Sequence, residues 1–359
     1  MTQAKGTPSL DPLATEFLLD DVRNLITGAR LSVARSVDSA LVLLYWGIGR
    51  RIRQDLLGEG RAGYGERIVA TLSQQLSAEF GRGFSRHNLF RMCRFAELFP
   101  GTQLVTTLSA QLGWSHIVEL VQVDDPLKRE FYAEMCRVEH WSVRTLRKKI
   151  QSMLFERTAL SSKPAELIAH ELQLLRDQDR LTPDLVFRDP YLLGFLGLKD
   201  TYAEKDLESA ILREMEAFIL ELGVGFAFVE RQKRITVDGD DYHLDLLFYH
   251  RRLKRLIAIE LKIGAFKPAD KGQMEFYLRW LDAHERRTDE DSPIGLILCA
   301  GKKEETVRLM DLESSGIRVA AYWTADLPRE QLEERLHQAV MLARARLQEG
   351  SEPPRRIGD

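Results

Sequence analysis

Between residues 226 and 263 the chain runs through three segments rich in β-forming residues, 226–237, 242–250 and 255–263, parted by short breaks. Nothing else in the sequence restricts the fold as strongly. Asp238-Gly239-Asp240-Asp241 supplies the positive-φ and Asx-turn positions of a turn, and Arg251–Lys254 reads as a hairpin connection. A long helix over 204–222, closed by Gly223-Val224-Gly225, precedes these strands, and a helix over 269–285 follows them. A buried strand over 294–300, a helix after Lys302, a strand over 318–323 and a final helix over 329–347 complete the pattern. The expected fold is an α/β domain whose mixed central sheet is flanked by helices.

The first half has a different texture. From about Pro12 to Ser152 apolar residues recur at helical spacing with little β-type alternation, which predicts an all-helical domain. A buried helix over 40–57 emerges into a basic end, and Gly63-Tyr64-Gly65 is read as a break before a second helix over 66–80. Gly81 and Gly83 end that helix, and Ser85 is placed to cap a third that runs toward Phe99 and Pro100. Further on, Ser115 is a candidate cap, and a helix over 143–154 begins after Trp141-Ser142. Ser161-Ser162-Lys163-Pro164 reads as punctuation. The expected division is a helical domain over 12–160, a linker over 161–190, an α/β domain over 191–349 and a disordered tail over 350–359.

The chemistry is concentrated in the second and third strands. Asp245 lies inside the apolar run His243-Leu-Asp-Leu-Leu-Phe248, and Glu260 and Lys262 lie inside Ile257-Ala-Ile-Glu-Leu-Lys-Ile263. A carboxylate in a buried strand is costly unless something pairs with it. Strand periodicity puts Glu260 and Lys262 on one face with Leu261 opposite, and a hairpin around Arg251–Lys254 can bring Asp245 beside Glu260. Two adjacent carboxylates repel unless a cation lies between them. Oxygen ligands suit a hard ion such as magnesium or manganese, and the lysine can orient or deprotonate a water or stabilise a pentavalent phosphate. Glu208, with Glu204 one turn ahead, lies on the preceding helix. Gln273, with Tyr277 one turn later, lies on the following one. A solvated edge strand would explain a lone Glu-x-Lys, but not its agreement with Asp245 and two flanking helices.

The order Glu208, Asp245, Glu260-Leu261-Lys262, Gln273 resembles the PD-(D/E)XK nuclease superfamily, and Gln273-Met-Glu-Phe-Tyr277 resembles the Q-x-x-x-Y helix of its RecB-like branch. The fuller likeness, over residues 15 to 345, is to the bacterial YhcG-type family, which joins a helical N-terminal domain to such a nuclease. Leu43-Leu-Tyr-Trp-Gly-Ile-Gly49, Phe84-Ser-Arg-His-Asn-Leu-Phe90, Trp141-Ser-Val-Arg144, Asp245-Leu-Leu-Phe-Tyr-His250 and Ile259-Glu-Leu-Lys262 carry it. The proline of the superfamily name is absent, since Leu244 precedes Asp245. The resemblance implies that Asp245, Glu260 and the Leu261 carbonyl bind Mg2+, with Mn2+ as substitute. It further implies that Glu208 supports the metal, that Lys262 handles the water, and that Gln273 positions the site or the substrate backbone. DNA cleavage leaving 5′-phosphate ends, a role in restriction, repair or defence against foreign DNA, and a homo-oligomer are also implied. RNA as substrate and an activating protein partner remain open.

Net charge is only −3, so any nucleic-acid surface must be local. Arg82, Arg86, Arg91 and Arg94 come without an intervening acid until Glu97, at the start of a capped helix, and resemble a helix-turn-helix recognition element. Arg144, Arg147, Lys148 and Lys149 form a second basic group. Trp114 and Trp141 are read as core. Cys93, Cys136 and Cys299 are too scattered for a disulfide framework or a zinc site. No apolar run reaches the roughly 20 residues of a membrane span, and no signal peptide is evident, so a soluble cytoplasmic protein is expected. Two other readings stay open: a catalytically silent DNA-binding or adaptor module, and a regulator-like protein whose N-terminal domain does the work.

Overall fold

The computed structural model describes residues 37–54, 62–198 and 202–324, with the isolated helical positions 330, 331, 334 and 336. The helical expectation before residue 37, most of the final helix over 329–347 and the tail over 350–359 lie outside the described residues. The chain divides into two compact units at Arg147/Lys148.

The first unit is helical throughout its described residues: α1 (37–54), α2 (Ala62–Phe80), α3 (Arg86–Leu98), α4 (Thr102–Ser109), α5 (Trp114–Leu120), α6 (Pro126–Glu139) and the start of α7 (Val143–Gln151). Tyr45, Ile52, Val69, Leu89, Met92 and Cys93 form one core cluster, with Trp114 packed against it. Gly49 is what lets α1 reach α3, because a Cβ there would stand 1.9 Å from the Met92 carbonyl oxygen. Ser85 caps α3 as expected, accepting from the Asn88 N–H at 3.4 Å, and Gly81 takes φ 88 before it.

Three local expectations are corrected. Gly63 and Gly65 lie inside the first turn of α2, where backbone N–H groups need no helical partner and glycine is tolerated. Gly113, not Ser115, is the N-cap of α5, its carbonyl taking the His116 N–H at 3.0 Å. The helix expected over 143–154 stops at Gln151. Met153 adopts φ 52, and the short α8 (Leu154–Arg157) follows. The buried Arg157 binds the Ser152 carbonyl through Nε at 3.0 Å, which gives that C=O a partner outside a continuous helix.

The second unit contains a six-stranded sheet of order β1-β6-β5-β4-β3-β2, with β1 (Tyr191–Leu192), β2 (Phe226–Val237), β3 (Asp240–His250), β4 (Arg255–Ala265), β5 (Ile294–Gly301) and β6 (Ile317–Trp323). β2, β3 and β4 are antiparallel neighbours, whereas β4, β5, β6 and β1 run parallel. Asp238 (φ 53) and Gly239 (φ 91) make the two-residue turn between β2 and β3. Helices cover both faces. α11 (Glu204–Arg213) and α12 (Met215–Leu222) set Leu207, Ile211, Phe218 and Leu222 against Leu246, Phe248, Ile257, Ile259 and Leu261. α13 (Pro268–His284) sets Met274, Tyr277, Leu278 and Leu281 against Leu247, Leu256 and Ala258.

The single helix expected over 204–222 is divided at Glu214 (φ −104, ψ 34), and the bend lets both halves contribute to one core cluster. The stretch 161–190 holds α9 (Ala165–Gln178) and α10 (Pro183–Val186), and its Val186 and Phe187 enter that same cluster.

Candidate active site

β3 and β4 pair only from Leu246↔Ile259 to His250↔Arg255, while β4 continues beside β5 to Ala265↔Gly301, with a register shift between Lys262 and Ala265. Beyond Ile259, therefore, β4 has lost its β3 neighbour and its backbone groups need other partners. Side chains supply them. The Asp245 carboxylate accepts the Leu261 N–H at 2.8 Å. Tyr322 Oη donates to the Lys262 carbonyl at 3.3 Å and accepts from Tyr202 Oη at 3.3 Å. Glu204 accepts the Ile263 N–H at 3.4 Å.

This parting of strands holds the expected carboxylates. Period two places Ile257, Ile259 and Leu261 in the core under α11 and α12, and Leu256 and Ala258 on the α13 side, with Glu260 and Lys262 continuing that second row. Glu260 is 5% exposed. Its Oε1 accepts from Lys262 Nζ at 2.9 Å, and its Oε2 is buried with no hydrogen-bond partner. Burial, and then the negative charge of Asp245, push the Glu260 carboxyl up to about 7. Asp245 is also raised, by burial first, and further by the charge of Glu208. The Leu261 N–H, the Gln232 amide and Lys262 oppose that rise. Burial alone would lower Lys262, but the Glu260 carboxylate beside it outweighs this and holds the ammonium above its ordinary value.

The other expected residues stand further out. Glu208 is half-buried on α11 and acts on Asp245 through charge, with no direct bond to Asp245 or Glu260. Gln273 donates to Tyr277 Oη at 2.8 Å, and Tyr277 Oη donates to the His243 carbonyl at 3.0 Å, so this pair holds β3 from α13 rather than touching the carboxylates. Among the described residues no three His, Cys, Asp or Glu side chains converge as a metal-holding group. The buried, unpartnered Glu260 Oε2 beside Asp245 nevertheless fits a hard cation, because magnesium is commonly held by one or two carboxylates and fills its remaining positions with water and phosphate oxygens.

Two contacts escaped the sequence reading. Gln232 of β2 donates its amide to Asp245 Oδ1 at 3.0 Å, a pairing that counting back from the Asp238-Gly239 turn would have found. Tyr322 carried no local signal, since it reaches Lys262 from two strands away.

Of the basic residues, Arg94 is tied to Glu97 and Asp124 at 3.2 Å each, and Arg147 to Glu119 at 2.6 Å. Arg86 lies over the Phe90 ring at 5.7 Å. Arg82, Arg144 and Lys148 are exposed and Arg91 is half-buried. Trp141 is buried, and Trp114 packs on Tyr45 with ring centroids 4.8 Å apart, both within the helical core. The three cysteines are free and buried, and burial raises each thiol, Cys136 to about 12. No helix of the described residues is long and apolar enough to cross a membrane.

Comparison with known proteins matches residues 21–157 to the DUF1016 N-terminal domain and residues 184–339 to the YhcG PDDEXK nuclease domain. The chain is 35% identical over 363 residues to "Putative nuclease YhcG" of Escherichia coli (strain K12), covering 92% of this chain and 95% of that protein. Among solved structures, a repair endonuclease from Pyrococcus abyssi overlaps 36% of this chain and 50% of its own at 19% identity with a TM-score of 0.24. A complex of EndoMS with double-stranded DNA overlaps 36% of this chain and 48% of its own at 19% identity with a TM-score of 0.28.

Proposed function

The chain belongs to the YhcG family of PD-(D/E)XK nucleases, and from that premise we propose that it hydrolyses DNA phosphodiester bonds with the help of a divalent cation, magnesium by preference. The observation that carries this reading is the buried Glu260 Oε2, without a hydrogen-bond partner beside a second carboxylate and two residues from Lys262 on the same strand face. Asp245, Glu260 and the Leu261 carbonyl would hold the cation, with Glu208 supporting it through water. A cation bound there would polarise a phosphoryl oxygen and lower the pKa of an attacking water.

The chain's own groups have separable tasks. Asp245 is fixed by the Leu261 N–H, so its position follows the end of β4. Lys262 is held as an ammonium, which suits it to orient the attacking water and stabilise charge on the phosphorus oxygens more than to remove a proton. Gln273 and Tyr277 fix the β3 backbone two residues from Asp245. The exposed Arg82, Arg144 and Lys148, with Arg86 and Arg91, are proposed to contact phosphates, and Arg94 and Arg147 to do so only at the cost of their acidic partners. Restriction, repair or defence against foreign DNA is the proposed setting, with a homo-oligomer as the working assembly.

The test is cleavage of circular, linear and branched DNA, and of RNA, by purified protein with magnesium or manganese, beside Glu260→Ala and Lys262→Ala. Metal-dependent cutting lost in both variants supports the reading. Cutting that persists in both removes this site from consideration. Salt-sensitive binding without any cutting would favour a binding module.

A further inference from the structure

Gln232 lies inside β2 with φ 46. Of the other non-glycine residues with positive φ among the described residues, His140, Met153 and Asp179 stand at helix ends. Asp238 and Lys254 stand in hairpin connections, and Asp311 in the turn after α14 (Glu304–Leu309). Gln232 alone bends within a strand. A left-handed backbone is unfavourable for a residue with a Cβ and is usually kept only where the surroundings require it. Packing does not require it here, because the side chain is exposed. What the bend accompanies is a hydrogen bond. Arg231 pairs with Leu246 and Lys233 with Leu244, so Gln232 stands across from Asp245 and donates its amide to Oδ1 at 3.0 Å. The other oxygen, Oδ2, accepts the Leu261 N–H of β4 at 2.8 Å.

We infer that Gln232 is a positioning residue of the nuclease site, clamping the Asp245 carboxylate between β2 and β4 so that it meets a divalent cation in one orientation. The inference rests on the metal-dependent reading of Asp245 and Glu260. The strain of the backbone conformation offsets what an exposed amide–carboxylate bond adds to stability, so stability alone gives no reason to keep the bend. Groups that orient a metal ligand from behind alter affinity by about 10-fold to 100-fold when removed.

Gln232→Gly separates the two accounts, since glycine accepts this φ without strain and lacks the amide. Mn2+ binding to the full chain, followed by calorimetry and by electron paramagnetic resonance, is expected to weaken at least about tenfold, while the melting temperature stays level or rises. Gln232→Asn, which tolerates the backbone but has a shorter reach, should weaken binding to a similar degree. Cleavage by Gln232→Gly should be deficient at limiting Mn2+ and recover at saturation. Unchanged affinity in Gln232→Gly, or a parallel loss of affinity and melting temperature, overturns the inference while leaving the site intact. If the wild type binds no Mn2+ in a manner that Asp245→Asn and Glu260→Gln abolish, the nuclease reading and this inference fall together.

Discussion

Two glutamates of the second unit, Glu260 buried and Glu221 half-buried, show what separates a structural ion cluster from a candidate site. Glu221 faces a cation at each oxygen: Arg157 at 2.5 Å on Oε1 and Arg188 at 3.2 Å on Oε2, with the Leu192 N–H adding a bond at 2.9 Å. Burial would raise its carboxyl, but the charges of Arg188 and Arg157 outweigh burial and hold it below the ordinary range. Glu260 has one ammonium on one oxygen and no hydrogen-bond partner on the other. Burial, with Asp245 beside it, pushes it up to about 7 against the pull of Lys262 and the Asp245 backbone N–H. The first cluster is balanced in charge, although Arg188 Nη1 makes no hydrogen bond, and joins α8, β1 and α12. The second is short of positive charge, the state in which a carboxylate pair binds a cation.

The largest effects should fall on opposite properties. Glu260→Ala and Lys262→Ala are each expected to reduce metal-dependent cleavage by at least about 10³-fold while leaving the fold intact by circular dichroism. Glu221→Ala, by contrast, leaves two arginines buried without their counter-charge and should cost about 3–5 kcal/mol of stability in urea denaturation. Its folded fraction should still cut. If Glu221→Ala stayed stable and lost activity, the comparison would break.

Acid titration sharpens it next, because the two glutamates respond in opposite directions. In metal-free protein Glu260 keeps its proton until about pH 7, whereas the unfolded chain releases it near the ordinary 4.5. Its contribution is therefore fully present below about pH 4.5 and lost as pH rises to about 7, a fall of about 3 kcal/mol. Glu221 acts with the reverse sign: its stabilisation is present above the ordinary carboxyl range and fades as pH falls through its depressed pKa. Urea midpoints in EDTA across pH 4 to 8 should show the neutral-side decline vanish in Glu260→Gln and the acid-side decline shrink in Glu221→Gln. Added magnesium should raise the wild-type midpoint more at pH 8 than at pH 5, and this gain should be absent from Glu260→Gln.

The smallest expected effects carry the same rule to the surface. Arg144 is exposed and has no acidic partner among the described residues, whereas Arg147 is bonded to Glu119. Arg144→Ala should weaken DNA binding a few-fold and reduce the slope of log K against log salt by about one, measured by fluorescence anisotropy. Arg147→Ala should change the slope less. Equal slopes would mean that ion pairing on this helix does not govern its contact with phosphate.

The three-strand meander, its turns and the alternation of Glu260 and Lys262 against Leu261 were legible in the sequence, because strand periodicity and turn chemistry are local. The Asp238-Gly239 turn even determines which residue faces Asp245, although Gln232 itself carried no signal of its own. Less legible were the break at Met153 and the bend at Glu214. Helical spacing runs through both, and they arise from Arg157 reaching the Ser152 carbonyl and from α11 and α12 sharing one core cluster. Glu208 was singled out by its place in the motif, yet Glu204, one turn earlier, is the α11 acid that bonds β4.

By itself the sequence determined which residues can carry the chemistry and which strands hold them, since period two and a two-residue turn leave few arrangements open. The tertiary structure alone decided where β4 loses β3 and shifts register against β5, and hence which backbone groups Asp245, Glu204 and Tyr322 must satisfy. It also decided that Glu260 keeps one oxygen bare while Glu221 keeps none. Burial and partner count are properties of the packed chain: they depend on residues far apart in sequence, whose contacts no local pattern encodes.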